Sequence, residues 1–259
     1  MTGKELTAKL GRGWGQPKVS KLETGRQLPS EEDVLAWADV TGANPDELGA
    51  LLGRARREYS TYKAIFAEDG SAAALQDAVA AAEYAAKVIA CYQPLLIPGF
   101  LQTTDYARTL LSLPGGPLDS GATPDDIGRM IASRMRRSAI LYEPGRDITL
   151  LMGEGALRNR FAPADVMRDQ LEHIARLAET LTTVVIGIVP FSRELPVLIF
   201  NGWDLTDDII AIETPLGDLD ISDPSDVARS NDYLRLLLDV ADTGPDAARI
   251  CRELAAQIT

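Results

Sequence analysis

The sequence is short of the residues on which metal and redox chemistry depend. Histidine occurs once, as His173, and cysteine twice, as Cys91 and Cys251, far apart and without metal-ligand spacing. Two such cysteines are expected as buried thiols, and no metal site or cofactor is expected. Walker-type loops and dinucleotide fingerprints are absent, which removes those nucleotide-binding classes. Ser192 follows Pro190-Phe191 but lacks the Gly-x-Ser-x-Gly elbow of a nucleophilic serine. His173 lies in a helical stretch between Glu172 and Ile174 and is read as a packing or surface residue. Glu154, between Gly153 and Gly155, either orients a ligand or turns the chain, and the turn is preferred. No catalytic residue is assigned. Apolar runs long enough to span a bilayer, about 18 residues, are missing, as is a signal peptide, so a cytoplasmic protein away from the membrane is expected.

Net positive charge is also missing. The 259 residues hold 26 basic and 38 acidic side chains, a formal charge of −12, which argues against broad non-specific nucleic-acid binding. The charge is unevenly spread. Residues 1–30 carry six basic residues (Lys4, Lys9, Arg12, Lys18, Lys21, Arg26) against Glu5 and Glu23, a net +4. Residues 204–226 carry eight acids and no base, read as a solvated acidic face without EF-hand spacing. A local basic patch on an acidic body suits a short, focused DNA contact.

The amino-terminal pattern fits such a contact. Thr2–Leu10 has Leu6 and Leu10 at i, i+4, a short amphipathic helix, and Gly11–Gly15 is a glycine-rich turn. Gln16–Glu23 reads as a second short helix, with Gly15 at the N-cap, Pro17 in the first turn and Gly25 as the stop. Val19 and Leu22 share its core face, while Gln16, Lys18 and Lys21 project elsewhere. Ser30 caps a third helix with Glu31, Glu32 and Asp33 in its first turn and Val34, Leu35, Trp37, Ala38 and Val40 towards the core, ended by Thr41-Gly42. Residues 44–67 read as a helix leaving this module, carrying Arg54, Arg56 and Arg57 and then Tyr59, Tyr62, Ile65 and Phe66, with a linker at Glu68–Ser71.

Lys18-Val-Ser-Lys-Leu-Glu-Thr-Gly-Arg26, followed by Pro29-Ser30, resembles the XRE class of bacterial helix-turn-helix regulators. The resemblance implies that the short helix enters the major groove of double-stranded DNA, with Gln16, Lys18, Ser20 and Lys21 facing bases or phosphates. It implies that Lys4 contacts phosphate, that Arg26 and Gln27 lie near the DNA backbone, and that Glu23 ties the helix to the following loop. Members of that class usually carry a further helix before the one at Thr2–Leu10, so the module is expected either to have lost it or to have it encoded upstream.

The remainder reads as a second, larger domain, giving boundaries of 1–66 and 67–259. The spacing of Leu75, Val79, Ala82, Ala86 and Ile89 predicts a helix from Leu75 to Tyr92. Helices are also predicted after Thr103 or Thr104, over 124–142, over 164–182, and over 233–240 and 246–258. Strands are predicted at Ile148–Met152 and Thr183–Val189, with a strand pair at 200–205 and 208–214 and another strand at Gly217–Ile221. Strands between helical runs without strict alternation indicate an α+β domain with a mixed or antiparallel sheet behind an all-α module.

Ile97-Pro-Gly-Phe-Leu-Gln-Thr103 with Asp105-Tyr-Ala-Arg108 is similar to the motif Pro-Gly-Leu-Leu-Gln-Thr…Tyr-Ala. That motif marks an uncharacterised carboxy-terminal domain attached to XRE-type regulators in actinobacteria. Gly153–Leu157, Met167–His173 and Val185–Phe191 fit it in order, and Phe100 in place of leucine departs from it. Together the two resemblances imply a dimeric transcriptional regulator whose larger domain senses a small molecule or a partner protein encoded nearby. The alternative is a small-molecule-binding protein or enzyme on the larger domain that has lost DNA binding. Its signature would be an enclosed apolar pocket lined by Tyr92, Phe100, Tyr106, Phe191 and Trp203, with Phe200 beside them.

Overall fold

Local signals set the helix boundaries of the amino-terminal unit. In the computed structural model, which describes residues 2–11, 13–24, 27, 29–55, 57–61, 80–116, 122–214 and 217–259, α1 spans Gly3–Leu10 and starts at a capping box formed by Thr2 and Glu5. Helix α2 spans Gln16–Glu23, with Gly15 at the N-cap and Pro17 in the first turn. Gly13, at φ 98, makes the tight turn between them possible. Helix α3, Glu31–Thr41, begins at a second capping box, Ser30 with Asp33, and ends at Gly42, at φ 73. Helix α4 spans Pro45–Ala55, its first turn held by the Asn44 side chain accepting from the Asp46 amide. Leu6, Val19, Val34, Ala38 and Leu52 are buried among these four helices.

The helix expected over 44–67 is shorter than that. It stops at Ala55, and Arg57–Thr61 is a strand, β1. Tyr59 and Thr61 favour a pleated strand over a helix, and a place in a sheet overrides the helical pattern. Arg12, Gly25, Arg26, Arg56, the apolar trio Tyr62, Ile65 and Phe66, the linker Glu68–Ser71 and the 66/67 boundary lie outside the described residues, as do the side chains of Arg54 and Arg57. The chain divides into two compact units, Met1–Glu58 and Tyr59–Thr259.

The larger unit is built on one sheet. Strand β2 is Val88–Gln93, β3 is Asp147–Gly153 and β4 is Val184–Val189. They pair in parallel, Cys91 opposite Leu150 and Leu150 opposite Ile186. β5 (Trp203–Thr206) runs antiparallel to β2, β6 (Ile209–Thr214) and β7 (Gly217–Ile221) continue antiparallel, and β8 (Asp242–Thr243) runs antiparallel to β4. The strand order is β1-β7-β6-β5-β2-β3-β4-β8. The sheet is mixed and the architecture α+β, as the sequence pattern indicates.

The prediction of a helix through Tyr92 is corrected at β2. A helical stretch at 80–85 gives way to a strand whose middle four residues are all buried. Alanines at helical spacing carried that expectation, and they report little about period. Val88-Ile-Ala-Cys-Tyr92 is a continuous apolar run, the pattern of a strand covered on both faces.

Helices close both faces. Helix α5 (Thr104–Leu111) is capped by Thr103, and α6 (Pro124–Arg137) by a capping box of Thr123 and Asp126. A 3-10 turn, Ser138–Tyr142, completes the stretch read as one helix over 124–142. Helix α7 (Glu154–Arg158) follows β3 directly, and α8 (Ala164–Thr180) leads into β4. Helix α9 (Pro224–Leu238) starts nine residues before the expected Tyr233, at an Asp223 cap that precedes Pro224, and α10 (Gly244–Gln257) closes the chain. Ile89, Cys91, Ile148, Leu150, Met152, Ile186 and Ile188 point to one face, packed with Met167, Leu171 and Ile174 of α8 and Ala248, Cys251 and Leu254 of α10. Ala90, Tyr92, Leu151, Val189, Trp203 and Leu205 point to the other, packed with Leu234 and Leu237 of α9. The period-2 alternation of strand side chains separates the two cores.

Candidate nucleic-acid interface

Helix α2 is held on one side and open on the other. Val19 is fully buried and Leu22 half-buried, which fixes one face against the small core. Gln16, Ser20 and Lys21 are exposed, and so is Lys4 on α1. Gln27 is exposed in the loop after α2. Arg26, the remaining residue assigned to DNA, lies outside the described residues. A short helix with an exposed polar face and basic neighbours is what the major groove admits.

Lys18 differs from the other candidates. Its ammonium lies 2.6 Å from Asp33 Oδ1 and 4.4 Å from the centre of the Trp14 ring. Trp14 in turn meets Trp37 of α3 edge-on at 5.9 Å. Asp33 also closes the α3 capping box, accepting from the Ser30 amide at 3.1 Å while its own amide donates to Ser30 Oγ. Burial works against the Asp33 charge, but the Lys18 ammonium and the Ser30 amide offset it and hold the carboxyl below its ordinary range. Glu23, on the opposite border of α2, brings its carboxylate to the start of α1, where a Cβ on Gly3 would lie 3.0 Å from Glu23 Oε2 and 3.4 Å from Gln16 Nε2. The link expected from Glu23 to the following loop falls on Gly25, Arg26 and Leu28, which lie outside the described residues. Thr24, not singled out from the sequence, caps α2 by donating its hydroxyl to the Ser20 carbonyl at 2.7 Å.

The aromatic residues considered for a ligand pocket are not gathered in one place. Phe100 and Tyr106 lie buried on one face of the sheet, and Tyr92 and Trp203 pack together on the other with ring centres 5.6 Å apart. Phe191 is 69% exposed and Phe200 83% exposed. A strand between two cores separates side chains that a sequence list places side by side.

The Pro-Gly-Phe-Leu-Gln-Thr segment is a buried joint. Gln102 donates to the Ile97 carbonyl at 2.7 Å and accepts from Arg134 Nη1 at 2.8 Å. Gln170 of α8, fully buried, accepts from the Thr103 amide and donates to the Leu101 carbonyl, each at 2.6 Å. The two glutamines satisfy backbone groups of a loop enclosed by α6 and α8. Gln170 belongs to the 167–173 stretch that matched in sequence, but its partner positions lie 67 and 69 residues away.

Other candidates resolve into structural roles. Glu154 Oε2 accepts from the Phe191 amide at 2.8 Å and Oε1 from Arg158 Nε at 2.5 Å, tying the ends of β3 and β4 together. Burial raises the Cys91 thiol well above its ordinary range and pushes Cys251 up to about 12, which disfavours the thiolate of both buried cysteines. Burial, with the nearby Arg176, lowers the half-buried His173. Among the described residues no cluster of His, Cys, Asp and Glu is arranged to hold a metal ion, and no helix is long and apolar enough to cross a membrane. A cleft of about 190 Å³ opens beyond the carboxyl ends of β3 and β4, lined among others by Glu154, Arg158, Ser192, Asp242 and Arg249.

Comparison with known proteins gives two family matches. A helix-turn-helix domain matches residues 1–52, the segment that carries α1 to α3 and most of α4. A domain of unknown function, DUF5753, matches residues 76–253. No curated protein and no solved structure matches the chain. Since the second match covers well over half of its length, the chain belongs to the DUF5753 family and carries a helix-turn-helix domain ahead of that domain.

Proposed function

We propose that the protein is a sequence-specific transcriptional regulator of the XRE type. In this account α2 lies in the major groove, Gln16, Ser20 and Lys21 meet bases or phosphates, and Lys4 and Gln27 meet the DNA backbone. The observation that carries the reading is the geometry of α2. Its apolar side is anchored by Val19, its polar side is open, and the surrounding segment matches a helix-turn-helix domain.

One such helix reads only a few base pairs, so the working form is a homodimer on two half-sites. The larger unit senses a small molecule or a partner protein and changes DNA affinity. The cleft beyond β3 and β4, lined by Glu154, Arg158 and Arg249, is one place to look for such a ligand.

The test is selection of fragmented genomic DNA by the full chain, at an ionic strength of about 0.15 M, where the Debye length is near 8 Å. The expected result is a recurrent motif, repeated with its half-sites about one helical turn apart. Bound fragments with the composition of the input contradict the reading.

A further inference from the structure

We propose that Lys18 is a positioning residue, which sets the orientation of α2 through Asp33 and Trp14 and does not itself touch DNA. This rests on the DNA-binding reading above and refines which residues carry it.

The first observation is angular. At about 100° per residue around a helix axis, Gln16, Pro17, Ser20 and Lys21 fall within one arc of about 140°. Val19 and Leu22 occupy the opposite side. Lys18 sits on one border between the two and Glu23 on the other. Each border side chain reaches a neighbouring helix: Lys18 to Asp33 of α3, and Glu23, with the exposed Gln16 amide beside it, to the start of α1.

The second observation is electrostatic. The Asp33 side chain is 11% exposed and that of Lys18 34% exposed, at a separation of 2.6 Å. Moving the ammonium to a phosphate would leave a nearly buried carboxylate without its counter-charge, and removing one member of a buried pair is costly. The ammonium also lies on the Trp14 ring, which the DNA backbone cannot replace.

The third observation is where the contacts fall. Trp14 belongs to the turn before α2, Asp33 and Trp37 to α3, and Lys18 to α2 itself. One cluster therefore ties the entry to α2 and its flank to the next helix. The same Asp33 carboxylate caps α3, so the cap and the tie share one residue. Of the basic excess at the amino terminus, the Lys18 charge is cancelled locally, and Lys21 is the cation left on the open face of α2.

The experiment compares wild type, Lys18→Met, Lys18→Arg, Lys21→Ala, Asp33→Asn and the double variant Lys18→Met/Asp33→Asn as full chains. Affinity for the selected DNA is measured against salt concentration, and thermal unfolding is followed without DNA. Lys18→Met is expected to weaken binding about tenfold, which is about 1.4 kcal/mol, with the salt slope and the preferred bases unchanged. Lys21→Ala is expected to reduce the salt slope by about 0.9, one phosphate contact. Lys18→Arg is expected to restore binding, because a guanidinium keeps the pair with Asp33. In unfolding, the double variant is expected to lose less than the sum of the two single variants.

The inference is overturned if Lys18→Met lowers the salt slope as Lys21→Ala does. It is equally overturned if the losses from Lys18→Met and Asp33→Asn simply add. Failure of wild type to prefer any sequence is a different result, which removes the regulator reading itself.

Discussion

Single side chains decide more here than their number suggests. Asp204 stands opposite Cys91 across the β2–β5 ladder and accepts from Gln93 Nε2 at 3.0 Å. Burial, with the carboxylates of Glu213 and Glu83 nearby, raises its pKa to about 7, while Arg137 works the other way. The unfolded chain holds an aspartate near 3.9, so the folded state favours the protonated form. That contribution to stability is complete below about pH 4 and is lost as the pH climbs to about 7. Asp204→Asn, which mimics the protonated form, is expected to match wild type near pH 4 and to exceed it at pH 8. The gap should be on the order of 1–2 kcal/mol in thermal melts, and an equal gap at both pH values counts against the cause assigned here.

Gln170 gives a second test at the same scale. Gln170→Leu would leave the Thr103 amide and the Leu101 carbonyl buried without partners. The expected loss is about 2–4 kcal/mol, read from denaturant unfolding, and a loss below about 0.5 kcal/mol would mean that water replaces the glutamine. Neither effect was visible in the sequence. Asp204 reads as one acid in an acidic run, and the partners of Gln170 lie far along the chain. Lys18 is the same case. Its type and position suit a groove-reading lysine, and its ion pair with Asp33, fifteen residues on, is seen only in the fold.

At the scale of elements, local chemistry was legible at most helix ends. Ser30 and Thr123 open capping boxes, Gly42 takes the left-handed conformation that ends α3, and Pro17 and Pro124 sit in first turns, whereas the Asp223 cap before Pro224 was missed. Ser30→Ala is expected to cost the amino-terminal unit about 1 kcal/mol, measured by its unfolding, because the Asp33 amide then has no cap. An unchanged melting temperature would show that the cap is redundant. The sequence failed where tertiary pairing chose the state. Val88–Gln93 is a central strand with a helical period of alanines just before it. The segment after α4 becomes β1 instead of more helix. A strand buried on both faces and a buried helix look alike in composition, and only the neighbouring strands arbitrate.

At the scale of the whole molecule, the charge of −12 and the +4 of the first thirty residues set the terms of any DNA contact. An acidic body repels a duplex, so binding depends on a few focused contacts and weakens steeply with salt. Binding to the folded form alone also stabilises it. Operator DNA at one hundred times its dissociation constant is expected to add about 2.7 kcal/mol to the unfolding free energy of the unit that binds it. On the proposed function, the open face of α2 reads sequence. The most direct measurement repeats the genomic selection with Gln16→Ala beside wild type. The account predicts a motif that keeps its spacing but loses preference at one base pair in each half-site, because an amide that reads a base edge has gone. A motif identical to that of wild type would contradict it.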